Sequence, residues 1–294
     1  MPELPEVETI VRDIAPSVVG HQFTGVEVRW GGSLVNLTEE GLVKALTGKR
    51  VRQVSRRGKF VVIDLSDDNK LVIHLAMTGR LLLRPSGSPE DRFTRITFAL
   101  DNGQEIRFAD ARKFGRVRVL SPQQYGEEID RRLGPEPLSQ DFKLEQFREA
   151  LRARSTRIKV LLLDQRFLAG LGNIYADEAL FEARINPNRP AHSLSDREIK
   201  LLYEAIRHVL ASGIRDRGTT FDAYLDAFGR AGSHQLRLNV YQQAGKPCPR
   251  CGTPIVREVI AGRSAHFCPR CQPRATGPAS QSGRPLRKAQ SRPG

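Results

Sequence analysis

The sequence has no run of about 18 apolar residues, so no segment of it is long and apolar enough to cross a bilayer as a helix. Nor does it open like an exported protein. Met1-Pro2-Glu3-Leu4-Pro5-Glu6 carries carboxylates where a signal peptide has a basic region, which makes the cytoplasm the expected compartment. Cysteine is scarce: four in 294 residues, all between positions 248 and 271, which argues against a disulfide scaffold and for one local site. Acidic residues are in the minority, 33 against 47 Lys and Arg. The resulting charge of +14 points to a polyanionic partner, with nucleic acid ahead of an anionic membrane. A chain of this length suits two domains better than one and, at 39% hydrophobic, can bury substantial cores.

Val7, Ile10, Val11, Ile14 and Val18 recur at helical spacing. Glu6 and Glu8 suit the dipole of that helix's first turn, and Pro5 fits a position that needs no N–H. From about 20 to 120 the chain is strand-rich. Strands are expected at 23–28, 51–54, 60–65, 71–77, 81–84, 96–100, 106–108 and 117–120, with a helix over 38–46 capped by Thr38. Asp101-Asn102-Gly103 reads as a hairpin turn. Short antiparallel strands behind one helix suggest a sandwich or flattened barrel. Leu133-Gly134-Pro135-Glu136-Pro137-Leu138 breaks this pattern, and helices are expected beyond it near 144–151, 158–162, 173–183 and 193–212. Residues 213–235, rich in Gly, Asp and Thr, read as a mobile loop. The expected divisions are 1–132, 133–240 and 241–272, followed by a disordered basic tail over 273–294.

The four cysteines form two C-x-x-C knuckles, Cys248/Cys251 and Cys268/Cys271, sixteen residues apart. That is the spacing of a four-thiolate Zn2+ site, and with no open ligand position such a zinc is structural. The filling between the knuckles suits a β-hairpin with Arg263 at its tip. Ala169-Gly170-Leu171-Gly172-Asn173 reads as a close-approach turn in which Asn173 caps the next helix, whose free N–H groups would suit a phosphate. Lys159 could point into the same space. Arg56-Arg57-Gly58-Lys59 is a basic hairpin tip, either solvated or reaching a phosphate or reacting centre. Met77 and Phe114 read first as core. Their alternative role is as wedges in a base stack from which a nucleotide has been extruded, with Arg112 pairing the widowed base.

Without Met1, Pro2 would present a secondary amine beside Glu3. An α-amino group titrates near pH 8, so part of it is neutral near pH 7 and able to attack an electrophilic carbon, while a neighbouring carboxyl shuttles protons. Taken alone, Pro-Glu-Leu-Pro reads more simply as a stiff lead-in to the helix.

Three separated strings nevertheless belong together. Pro2-Glu3-Leu4-Pro5-Glu6-Val7-Glu8-Thr9, Gly170-Leu171-Gly172-Asn173-Ile174-Tyr175-Ala176-Asp177-Glu178 and the four-cysteine finger resemble the formamidopyrimidine-DNA glycosylase family from Pro2 to about Gln272. The resemblance implies an α+β multidomain chain: an N-terminal β-sandwich with an N-terminal helix, a helix–two-turns–helix domain and a zinc-finger hairpin. It implies a monomeric base-excision repair enzyme that removes oxidised purines from double-stranded DNA and cleaves the strand by β,δ-elimination. By the same resemblance Pro2 is the nucleophile and Glu3 the acid. Lys59 moves protons in β-elimination, and Arg263 grips phosphate and serves δ-elimination. Met77, Arg112 and Phe114 fill the void, while Arg154, Lys159 and Asn173 contact DNA.

Two places depart from the family pattern. The stretch Asp91-Arg92-Phe93-Thr94-Arg95 lacks a histidine that relatives carry, which leaves Phe93 as the weakest of these DNA contacts and Arg95 as its compensation. The tail after Cys271 is also longer. Two competing readings remain: a sister activity on oxidised pyrimidines, against which Leu4 and the 110–114 segment stand, and a noncatalytic zinc-finger DNA binder, which would be expected to lack Pro2, Glu3 or Lys59.

Overall fold

The computed structural model describes residues 1–274; the expected tail lies outside the described residues, apart from Pro273 and Arg274. The chain begins with helix α1 (Leu4–Val18), whose apolar stripe Val7, Ile10, Val11, Ile14 and Val18 is buried as its spacing requires. β1 (Phe23–Val28) follows, and then α2 (Glu39–Leu46), where Thr38 Oγ1 accepts the Gly41 N–H as an N-cap. Seven further strands complete the N-terminal part: β2 (Val51–Arg57), β3 (Phe60–Leu65), β4 (Lys70–His74), β5 (Gly79–Pro85), β6 (Thr94–Leu100), β7 (Gln104–Asp110) and β8 (Arg116–Leu120). They form two antiparallel four-stranded sheets, ordered β1-β6-β7-β5 and β2-β3-β4-β8. Apolar side chains from both sheets and from α1 share one core, in which Phe23, Phe98 and Phe108 are fully buried.

A capped helix, α3 (Pro122–Glu128), leads into the linker and the helical part: α4 (Leu144–Arg152), α5 (Ile158–Leu163), α6 (Asn173–Glu182) and α7 (Asp196–Arg215). These pack around a second core that includes Leu151, Leu162, Tyr175, Leu202 and Ile206. Leu4 belongs to this core rather than to that of the sandwich, and its N–H donates to the Gly170 carbonyl at 3.0 Å. α1 therefore starts in one core and ends in the other.

The finger holds β9 (Val256–Ile260) and β10 (Arg263–Phe267), paired antiparallel across Ala261-Gly262, both at positive φ as a tight two-residue turn needs. Two expectations fail. β4 stops at His74, so Met77 lies in the turn after it rather than in a strand. Residues 216–235 are not a free loop: Tyr224 and Ala227 plug the sandwich core. Leu83 N–H donates to the Ala227 carbonyl, and Arg217 pairs with Asp13 and Asp226. Glycine and aspartate here serve tight turns, with Asp226 accepting the N–H groups of Phe228 and Arg230. No helix among the described residues is long and apolar enough to cross a membrane.

Candidate active site and nucleic-acid interface

The Gly170–Gly172 turn and the start of the chain are built for each other. A Cβ on Gly170 would lie 2.8 Å from Leu4 side-chain atoms, and one on Gly172 would lie 2.3 Å from Glu3 Cδ. The close approach expected of these glycines is therefore to the chain's own N-terminus. Gly172, not Asn173, occupies the cap position of α6, and the free N–H groups of Ile174 and Tyr175 donate to the Glu3 carboxylate at 3.0 and 3.4 Å. The anion site expected for a phosphate is filled by Glu3, which corrects that expectation. The positive end of a helix dipole supplies the counter-charge for an almost fully buried carboxylate.

Glu6 turns back to accept the Glu3 N–H at 2.7 Å. Its other oxygen accepts the Tyr175 hydroxyl and the Thr219 N–H, both at 2.8 Å. Burial, reinforced by the charge of Glu3, pushes the Glu6 carboxyl up to about 7. Burial likewise raises the Tyr175 phenol well above its ordinary range, so it remains a donor. The sequence offered Glu6 only as a dipole-compensating residue. Nothing local reveals partners about 170 and 213 positions away.

Lys59 is buried, and burial lowers the pKa of its ammonium group. The charges of Glu3 and Glu6 act in the opposite direction, and Arg263 adds to the lowering. Glu3, Glu6 and Arg263 thus all lie within electrostatic reach of Lys59. The hairpin tip that carries it is not solvated. Arg56 Nη1 donates to Glu136 at 2.7 Å, Arg57 Nε donates to Asp130 at 2.8 Å, and the Gly58 N–H donates to Glu136 at 2.5 Å. Gly58, at φ +56°, sits against Leu133, Ala169 and Gly170. Glu136 of the linker, unremarked in the sequence, clamps this tip.

Met77 and Phe114 are about half exposed, which excludes the core reading. Arg112 joins them, with its guanidinium 3.2 Å from the Met77 sulfur and 4.8 Å from the Phe114 ring centre. Asp110 organises both turns. Its carboxylate accepts the Thr78 hydroxyl at 2.5 Å and the N–H groups of Arg112 and Gly115 at 3.2 and 2.8 Å. Phe93 is exposed at φ +68°, with Arg92 and Arg95 over its ring at 4.5 and 5.9 Å.

Arg154 and Arg263 are exposed, and Asn173 is half-buried beside Ser264. Arg154 lines a cleft of about 730 Å³ with Phe142, Phe147 and Arg166; among the described residues this cleft shares no lining with the Glu3 cluster. Lys159 departs from expectation. It is fully enclosed, its Nζ donating to Asp177 and to the Ser264 carbonyl, which leaves no free face for a phosphate.

The four thiols lie within 4.8 Å of one another, with Cys248–Cys271 at 3.9 Å and Cys251–Cys268 at 3.5 Å. Tetrahedral zinc with bonds of about 2.3 Å needs sulfur separations of about 3.8 Å, so the donor set fits the ion. Backbone N–H groups of Arg250 and Cys271 point at Cys248 and Cys268 sulfurs at 3.4 Å, as thiolate ligands require. The finger holds one structural zinc.

Three family models match the chain. The formamidopyrimidine-DNA glycosylase N-terminal domain covers residues 1–117, the H2TH domain of the same enzymes covers 133–224, and the zinc finger found in FPG and IleRS covers 245–274. The chain is 46% identical over 273 residues to a formamidopyrimidine-DNA glycosylase of Herpetosiphon aurantiacus, covering 92% of this chain and all of that one. It is 49% identical over 276 residues to that of Heliobacterium modesticaldum, with the same coverage. Two solved Lactococcus lactis Fpg structures, one bound to DNA with an abasic site and one to DNA with Fapy-dG, are each 37% identical with TM-score 0.85. Each alignment covers 92% of this chain and all of the other. The sandwich, the helical part and the four-thiolate finger each match a model of these enzymes, and the chain belongs to the formamidopyrimidine-DNA glycosylase family.

Proposed function

We propose that this protein excises oxidised purines (8-oxoguanine and formamidopyrimidines) from duplex DNA and then cuts the strand at the abasic sugar. The observation that carries the reading is the fixed start of the chain. Pro2 is buried next to Glu3, Glu3 is gripped by the α6 amides, and Lys59 lies in the charge field of Glu3 and Glu6.

With Met1 removed, the Pro2 nitrogen attacks C1′ of the extruded nucleotide. The base leaves with the electrons of the glycosidic bond, and a proton delivered through Glu3 opens the ribose. The resulting iminium acidifies the C2′ protons. Lys59, its pKa lowered by burial, is suited to move a proton as the 3′ phosphate departs in β-elimination. Arg263, exposed at the finger tip, holds phosphate as the 5′ phosphate departs in δ-elimination. Met77, Arg112 and Phe114 occupy the space left by the extruded nucleotide, and Arg154 and Asn173 contact the backbone. Phe93 stacks beside them with Arg95. In this reading 1–132 carries the chemistry, 133–240 and 241–272 grip the duplex, and the whole acts in the cytoplasm as a monomer.

Borohydride trapping on a duplex with one 8-oxoguanine opposite cytosine tests the reading. A covalent complex is expected with the wild type and none with Pro2→Gly. Trapping that survives Pro2→Gly refutes Pro2 as the sole nucleophile, and an active protein whose N-terminal mass retains Met1 refutes it altogether.

A further inference from the structure

Adjacent carboxylates on α6 hold the finger from two sides. Glu178 accepts the N–H groups of Asn239, Val240 and Tyr241, each at 2.9 Å, and so fixes the segment that enters the finger. Asp177 is 1% exposed and holds the returning strand. Its Oδ2 accepts the His266 N–H at 2.9 Å and lies 3.1 Å from His266 Nδ1, while its Oδ1 takes the Lys159 ammonium. Lys159 also donates to the Ser264 carbonyl, one residue from Arg263. The N-terminus of this same helix grips Glu3.

We propose that Asp177 is a positioning residue: with Lys159 it locks β10 onto α6, so that Arg263 and Glu3 are set in one frame. This rests on the proposed function, in which Arg263 acts after Pro2. Lys159 then serves through the finger rather than on DNA. A buried ion pair is a poor source of net stability but a strict one of geometry, since either charge left alone inside is costly. A misplacement of about 1 Å at a reacting group can cost a hundredfold in rate.

The test compares zinc-loaded wild type with Asp177→Asn, scoring borohydride trapping, the split between β and β,δ products, and amide exchange over 263–267. In the variant, δ-product should fall about a hundredfold relative to β-product, and the His266 amide should lose protection. Bound zinc should stay at one per chain, and trapping should remain. An unchanged product split overturns the proposal. So does loss of zinc together with a parallel fall in every activity, because Asp177 would then serve only the fold; amide exchange in the helical part separates that case. Absence of trapping by the wild type would instead refute the functional reading.

Discussion

Replacing Gly172 by alanine would put a methyl carbon 2.3 Å from Glu3 Cδ and 2.5 and 2.7 Å from its two carboxylate oxygens. The backbone there, φ −133° and ψ −159°, is extended and open to alanine, so strain does not confuse the result. The methyl meets the flexible end of the Glu3 side chain, so the contact is relieved by moving Glu3 off the α6 amides. A hydrogen bond to a charged group contributes roughly 1.5–3 kcal/mol, and if Glu3 acts in the transition state as proposed, losing the shorter one slows excision roughly 10- to 150-fold. Single-turnover excision of 8-oxoguanine, read beside a thermal melt, measures this. Gly126→Ala in α3 is the control. Nothing lies within 4 Å of its added carbon, and alanine in a helix should be neutral or stabilise by roughly 0.5–1 kcal/mol. A Gly172→Ala protein that excises at the wild-type rate would refute the argument that these amides place Glu3.

Glu6 predicts an inverse pH dependence. Because its carboxyl is pushed up to about 7 from 4.5, the folded chain keeps a proton that the unfolded chain loses. This group's share of stability therefore falls as pH rises from about 4.5 to 7 and is flat above; Glu6→Gln should remove that slope from melting temperature against pH. Phe114→Ala should leave stability within about 0.5 kcal/mol, since the ring is exposed, yet weaken binding to lesion-bearing DNA by about 1–3 kcal/mol in a titration. Chelating the zinc should erase amide protection over 248–271 and abolish δ-product while the sandwich core keeps its protection. Glu136→Gln should free the Lys59 hairpin, seen as a fall in β-elimination on a preformed abasic site larger than the fall in affinity.

Elements governed by local rules were legible before the structure. The α1 stripe, the Thr38 cap and the alternation through β6 follow from side-chain periodicity, and cysteine spacing alone located the metal site. What stayed hidden depends on distant partners. Arg56 and Arg57 look solvated in sequence because their acids, Glu136 and Asp130, are more than 70 residues away. The 213–235 composition matches a mobile loop, since glycine and aspartate serve flexible segments and tight hydrogen-bonded turns alike; that Tyr224 and Ala227 enter the sandwich core depends on partners far away in the chain. Lys159 reads as a phosphate contact from its place before the Gly170–Gly172 turn and from the family resemblance, whereas its buried counter-ion lies eighteen residues on. The glycines of the 170–172 turn correctly signalled close approach, but the approaching group turned out to be internal.

The position of Leu4 in the second core has a consequence for synthesis. The residues that grip the chain's first turn, from Gly170 to Thr219, leave the ribosome long after it. At translation speeds of about 5–20 residues per second, the first turn waits roughly ten to forty seconds for its partners. Until then Glu3 has no helix amides to hold it, and the sandwich core around α1 still lacks Tyr224 and Ala227. A nascent or prematurely ended chain therefore carries Pro2 and Glu3 without their socket, and the site is assembled only once most of the protein has been made.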